Sequence, residues 1–128
     1  MLMDRVLIID DDEDLLEILE SSLAFFGFEI KTSNYTDDIH SLVTIHQPDL
    51  VIIDYIMGGV NGGEMCSELK QKEATKHIPV IILSAYDKVI KSLGTYGCDA
   101  FVSKPFDMQE LVNKIKLVLK NSRCQHNS

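Results

Sequence analysis

No apolar run in this chain approaches the length of a membrane-spanning helix, and nothing at its start resembles an export signal. Met-Leu-Met-Asp-Arg-Val has neither a basic opening nor a long apolar stretch behind it. Cysteine is scarce: Cys66, Cys98 and Cys124 are odd in number, widely separated and without a CxxC pair, which argues against a disulfide framework and suits a reducing compartment. His40, His46, His77 and His126 show no metal-ligand spacing. Seven glycines and three prolines are too few for a fibrous or disordered chain, and no low-complexity segment occurs. Positive charge is also short, with 12 basic residues against 20 acidic ones. The resulting net charge of −8 repels nucleic-acid phosphates and acidic membranes. These absences predict a cytoplasmic protein that binds no nucleic acid directly and no membrane.

What is present is a chain of 128 residues, 45% hydrophobic and 25% charged. That is one domain, able to bury roughly two-thirds of its unfolded surface. Its acids are concentrated, with eight between Asp4 and Glu20 opposed only by Arg5, whereas the stretch from Lys104 to Arg123 turns basic. Lysines in the last turns of a helix suit its dipole and imply no special partner.

The stretch from Leu50 to Glu64 organises the rest. Leu50-Val51-Ile52-Ile53 has the length and branching of a strand buried on both faces, and it ends at Asp54 before a glycine-rich loop. Four other runs read as strands: Val6 to Ile9, Phe28 to Thr32, Val80 to Leu83 and Ala100 to Val102. Helical spacing places Leu15, Leu16, Leu19 and Leu23 on a first helix stopped by Gly27. Ile39, Leu42, Val43 and Ile45 lie on a second, which closes before Pro48. Glu64 to Lys72 forms a third, burying Met65 and Leu69. A fourth starts at Asp87 with Val89, Ile90 and Leu93, and Gly94 and Gly97 each weaken it by about 1 kcal/mol. The fifth runs from Asp107 to about Lys120 and buries Leu111, Ile115 and Val118. Residues 1–122 thus form the domain and 123–128 a disordered tail. Phe25, Phe26, Phe28, Tyr35 and Met65 read as packing residues, and Cys98 as a small buried side chain.

Strands alternating with helices through short loops describe an α/β fold, a doubly wound, five-stranded parallel sheet with five helices. Asp10, Asp11, Asp54, Ser84 and Lys104 each fall at or just after the carboxyl end of a strand, and in such a sheet those ends share one rim. At about 4 Å and an effective dielectric near 20, paired carboxylates repel by roughly 4 kcal/mol, so Asp10, Asp11 and Asp54 call for a cation. Mg2+, with Mn2+ as a possible substitute, takes one or two carboxylates and leaves sites for phosphate oxygens. Lys104 adds a positive charge and Ser84 a donor, a set suited to phosphoryl transfer. Asp54 stands alone at its strand end and is the natural nucleophile; the Asp10-Asp11 pair is better suited to hold metal.

In this order and at these strand ends, Ile-Ile-Asp10-Asp11, Asp54-x-x-Met57, Asn61-Gly62, Ser84-Ala85 and Lys104-Pro105-Phe106 resemble the receiver domain of two-component response regulators over residues 3 to 120. The resemblance implies a flavodoxin-like strand order, 2-1-3-4-5, and a signalling module that is not an enzyme beyond assisting its own phosphorylation and dephosphorylation. Asp54 would accept a phosphoryl group from a sensor histidine kinase or histidine phosphotransfer protein. Mg2+ would be held by Asp11, Asp54 and the backbone carbonyl of Ile56, with Asp10 in support. Lys104 would bind a phosphoryl oxygen. Ser84 would move to bond another, and Phe101 would turn inward behind it. The surface of the fourth helix, fifth strand and fifth helix would then be read by a downstream protein whose identity the sequence does not name. A cis Lys104-Pro105 bond is implied as well. With no output domain in these 128 residues, the expectation is a stand-alone regulator or an excised one.

The chain departs from that family at Gly58-Gly59, where proline is frequent, and at Phe101, which replaces a common tyrosine. Ile56 and Tyr86 occupy positions that tune phosphoryl loss, and neither activates water well, so slow autodephosphorylation is expected. Two other readings stay open. Asp10-x-Asp12, Ser84 and a later lysine also resemble hydrolases of the haloacid dehalogenase type, although Asp14 stands where that family has threonine and no acidic pair follows Lys104. A receiver that binds partners without phosphorylation is the other.

Overall fold

The computed structural model describes residues 3–34, 38–57, 60–85 and 97–126. In chain order the elements are β1 (Arg5–Ile9), α1 (Glu13–Phe25), β2 (Glu29–Ser33), α2 (Ile39–His46), β3 (Leu50–Asp54), β4 (Ile56–Met57), β5 (Val60–Asn61), α3 (Gly62–Gln71), β6 (Val80–Ser84), β7 (Ala100–Ser103) and α4 (Met108–His126). The main sheet has the order β2-β1-β3-β6-β7 and every neighbouring pair is parallel. Counted among its own strands, that is the expected 2-1-3-4-5. Four helices occur among the described residues. The helix expected from Asp87, with Val89, Ile90, Leu93 and Gly94, lies outside the described residues, as do Tyr35, Gly58, Gly59 and Tyr86.

Alternation along the strands makes two cores. Val6, Ile8, Leu50, Ile52, Ile81, Leu83 and Val102 face α1 and α4, where they meet Leu16, Leu19, Leu23, Leu111 and Ile115. Leu7, Ile9, Val51, Ile53, Val80 and Ile82 face α2 and α3, where they meet Ile39, Val43, Met65, Cys66 and Leu69. All five residues of β3 and of β6 are buried, because helices cover both faces of these interior strands. The helices start at side-chain caps: Asp12 accepts from the Leu15 N–H, Asp38 from Ser41 and Asn61 from Gly63 and Glu64. Gly27, at φ +95°, turns the chain after α1 as only glycine does without strain.

Ile45 lies on α2 as expected and is 71% exposed, because the core stripe of that helix runs through Ile39 and Val43. Other expectations need correction. Phe25 is 86% exposed and stacks edge-on against Phe26 at 5.7 Å, so of the three phenylalanines around Gly27 only Phe28 enters the core. Cys98 is half-buried. The loop after β3 carries a small antiparallel pair, Ile56↔Asn61 and Met57↔Val60. The last helix continues past Lys120 to His126, and Arg123, in the stretch expected to be a tail, pairs with Asp4.

Candidate functional site

Register alone brings the rim residues level. Ile9 pairs with Ile53, so the next residues, Asp10 and Asp54, come to adjacent strand ends. Asp54 pairs with Leu83, which puts Ser84 one rung further on, and Ser84 pairs with Ser103. Lys104 follows, its N–H donating to the Ser84 carbonyl at 2.7 Å, and its own peptide bond to Pro105 is cis.

Three carboxylates converge at this rim: one oxygen each from Asp10, Asp11 and Asp54 lies within 4.8 Å of the others. Asp10 is fully buried, and its two oxygens accept from the Asp12 N–H at 3.0 Å and from Lys104 Nζ at 3.0 Å. Lys104 Nζ also stands 3.1 Å from Asp54 Oδ1. Asp54 retains 8% exposure, and Asp11 is exposed. Burial, then the charge of Asp10, pushes the Asp54 carboxyl above its ordinary value despite the opposing pull of Lys104. For Lys104, burial alone would favour the neutral amine. The hydrogen bonds and charges of Asp10 and Asp54 overcome that and hold its ammonium above its usual range. Asp12 instead caps α1 through its side chain, in keeping with its place directly before the first helical residue, Glu13.

The two remaining side chains named from the sequence sit on the neighbouring strands. Ser84 is buried at the end of β6. Phe101, paired in register with Ile82, is half-buried against the core shared with α2 and α3. Ile56 contributes backbone in β4 directly after the Asp54-Tyr55 step.

Two further residues build the site without touching its charges. Asn61 caps α3 through 2.7 and 3.3 Å bonds from the Gly63 and Glu64 N–H groups. Gly62 lies so close to β3 that an added Cβ would stand 2.2 Å from the Asp54 carbonyl oxygen and 2.8 Å from Ile53 Cγ2. The Asn-Gly-Gly run carried this signal, but only packing reveals that it is room beside Asp54 that forbids a side chain.

The doubly wound sheet gathers three carboxylates and an ammonium at its carboxyl rim, a set whose chemistry suits a hard cation beside an anionic group. The donor set fits such a cation, since among the described residues the ion pairs of Asp10 and Asp54 both fall on Lys104, leaving carboxylate charge in excess. The family model of the response regulator receiver domain matches residues 6–116, and the chain belongs to that family, the phosphoacceptor modules of two-component signalling. The phosphate regulon transcriptional regulatory protein PhoB of Pseudomonas aeruginosa is 33% identical over 120 residues, which cover 91% of this chain and 52% of that protein. Response regulator ArlR of Staphylococcus aureus is 33% identical over 122 residues, covering 92% and 53% respectively. The chain thus spans about half the length of the curated relatives it matches. Among solved structures, response regulator protein TrrA from Thermotoga maritima, in complex with Mg2+-BeF, superposes with a TM-score of 0.81 at 32% identity over 91% of this chain and 99% of that one. A response regulator from Chloroflexus aurantiacus gives 0.85 at 27% identity over 93% and 99%.

Proposed function

We propose that Asp54 is the phosphoacceptor of this receiver. The observation that carries the reading is the placement of Lys104 Nζ within 3.1 Å of both Asp54 Oδ1 and Asp10 Oδ2, beside a third carboxylate from Asp11. An oxygen of Asp54 attacks phosphorus of a phosphohistidine on a sensor kinase or phosphotransfer protein. The P–N bond breaks, the imidazole leaves with the electron pair and takes up a proton, and an acyl phosphate forms on Asp54. Lys104 holds a phosphoryl oxygen and keeps the ammonium charge that its raised pKa favours. Asp10, locked by Asp12 and Lys104 and fully buried, is a poor nucleophile and a good support. Asp11 and Asp54, with the Ile56 carbonyl, would hold Mg2+, or Mn2+ with the same oxygen donors, and the cation would supply positive charge to offset the carboxylates and the phosphoryl oxygens.

In the same reading, Ser84 donates to a phosphoryl oxygen and Phe101 shifts toward the core, changing the surface of β7 and α4 and of the segment from Asp87 that a downstream protein reads. The domain is a signalling module that assists only its own phosphorylation and its reversal. Intact mass after incubation with acetyl phosphate and Mg2+ tests the assignment on wild type and Asp54→Asn. One added phosphoryl group in wild type alone supports it, and a gain in both proteins would move the acceptor to Asp10 or Asp11.

A further inference from the structure

At the opposite end of the sheet from the acidic pocket, one ion pair joins four segments. Lys70, in the last turn of α3, donates to the Ile78 carbonyl at 2.8 Å, to the Lys76 carbonyl at 3.4 Å and to Asp99 Oδ2 at 2.8 Å. The same Asp99 oxygen accepts from the Val80 N–H at 2.8 Å, while the Asp99 N–H donates to the Val80 carbonyl at 2.9 Å. A Cβ added at Gly97, whose φ is +80°, would lie 3.4 Å from Lys70 Cγ, so the chain entering β7 rests on the lysine stem. The lysine side chain is mostly shielded, at 20% exposure, whereas the aspartate is more open, at 34%.

The location gives this clamp its consequence. β7 has four residues and, among the described residues, is an edge strand that pairs only with β6. It is therefore the strand of the main sheet with the least to fix its register, and a slip of one residue would move its side chains by ~3.3 Å and to the wrong face. β7 also leads directly into Lys104, whereas Asp10, Asp11 and Asp54 come from β1 and β3, which carry neighbours on both sides. We propose that the Lys70–Asp99 pair is a positioning device for Lys104: it pins the register of β7 at its amino end so that the ammonium meets Asp10 and Asp54 at the carboxyl end. Asp99 and Lys70 act through the strand and touch no reacting atom. The inference rests on the assignment of Lys104 to the phosphoryl site only for its activity readout.

Asp99→Ala, Asp99→Asn and Lys70→Met separate positioning from general support. The expected result is a phosphorylation rate with acetyl phosphate that falls on the order of tenfold in Asp99→Ala and Lys70→Met, less than the roughly hundredfold cost of a full 1 Å misplacement because the other bonds of β7 remain. The Mg2+ dissociation constant, read calorimetrically, stays within about twofold of wild type because its carboxylate ligands are not on β7. Asp99→Asn retains an acceptor for the Val80 N–H and falls in between. Amide hydrogen exchange at Lys104, whose N–H bonds the Ser84 carbonyl, accelerates in Asp99→Ala and needs no phosphorylation at all. Unchanged Lys104 exchange in folded Asp99→Ala, or rate and Mg2+ affinity lost together, would overturn the positioning role. Absence of phosphorylation in wild type would instead sink the phosphoacceptor reading, and the exchange measurement would still decide the clamp.

Discussion

Lys104 Nζ stands 3.1 Å from Asp54 Oδ1, although their strands, β7 and β3, are separated in the sheet by β6. The lysine reaches across the end of an intervening strand, and the same nitrogen meets Asp10 from β1 at 3.0 Å. One cation thus ties three strands together at the rim, and the stability and chemistry of the pocket are coupled through it.

Replacing Asp54 by Asn should raise the melting temperature of the metal-free protein at neutral pH. The folded state holds the Asp54 carboxyl above its ordinary value, through burial first and the charge of Asp10 second, so ionised Asp54 costs stability at any pH above that raised value. The cost vanishes as the pH falls through the folded value toward the unfolded one. For a domain of this size each 1 kcal/mol of strain removed raises the melting temperature by roughly 4 °C. Calorimetric scans of both proteins should show a gap at pH 7 that closes on acidification; a variant less stable than wild type at pH 7 would contradict this.

Lys104→Met should act in the opposite sense. Losing the shared partner of Asp10 and Asp54 leaves a fully buried carboxylate unpaired, a change that costs several kcal/mol in fully buried pairs and about 2 kcal/mol here, where the lysine is 24% exposed. The ammonium's raised pKa means that its stabilisation is complete below the unfolded lysine value and fades only as pH rises through the folded one. Urea titration at pH 7 should show the loss, and added Mg2+ should recover part of it.

Gly62→Ala tests the close approach behind Asp54. A methyl 2.2 Å from the Asp54 carbonyl oxygen forces the start of α3 away from β3. Overpacking of this kind costs about 2 kcal/mol. Denaturant midpoints should fall accordingly, and phosphorylation by acetyl phosphate should slow; a variant as stable as wild type would show that α3 yields at no cost.

Mg2+ should stabilise wild type in proportion to its saturation, by about 2.7 kcal/mol at a hundredfold excess over its dissociation constant. Asp11→Ala should remove most of that effect and modestly raise the metal-free melting temperature, because one of three mutually repelling carboxylates is gone. A Mg2+ response surviving in full would take Asp11 out of the ligand set.

Much of this arrangement was legible in the residues, and the part that was not has a common cause. Apolar runs such as Val6 to Ile9 and Val80 to Leu83 announce interior strands, and the polar residue ending each run marks the rim. Once parallel register aligns those ends, Asp10, Asp54, Ser84 and Lys104 become neighbours. Features set by contact across the fold were hidden. Nothing local in Gly62 says that Asp54 lies behind it, and nothing in Lys70 or Asp99 says that they meet across 29 positions of chain. Phe25 misled because hydrophobicity near a helix end does not say which side of the helix the sheet covers. The pairing of Ile56 and Met57 with Asn61 and Val60 is too short to leave a periodic pattern.

Locating the phosphoryl bond itself distinguishes Asp54 from Asp10 and Asp11 as acceptor. After phosphorylation with acetyl phosphate and Mg2+, borohydride reduces an acyl phosphate to an alcohol, converting the modified aspartate to homoserine, which peptide mass spectrometry places in the chain. With Asp54 as acceptor, homoserine forms at position 54 and nowhere else, and none forms when Mg2+ is chelated. Homoserine at position 10 or 11, or its absence from a protein that has demonstrably gained a phosphoryl group, would contradict the assignment of Asp54.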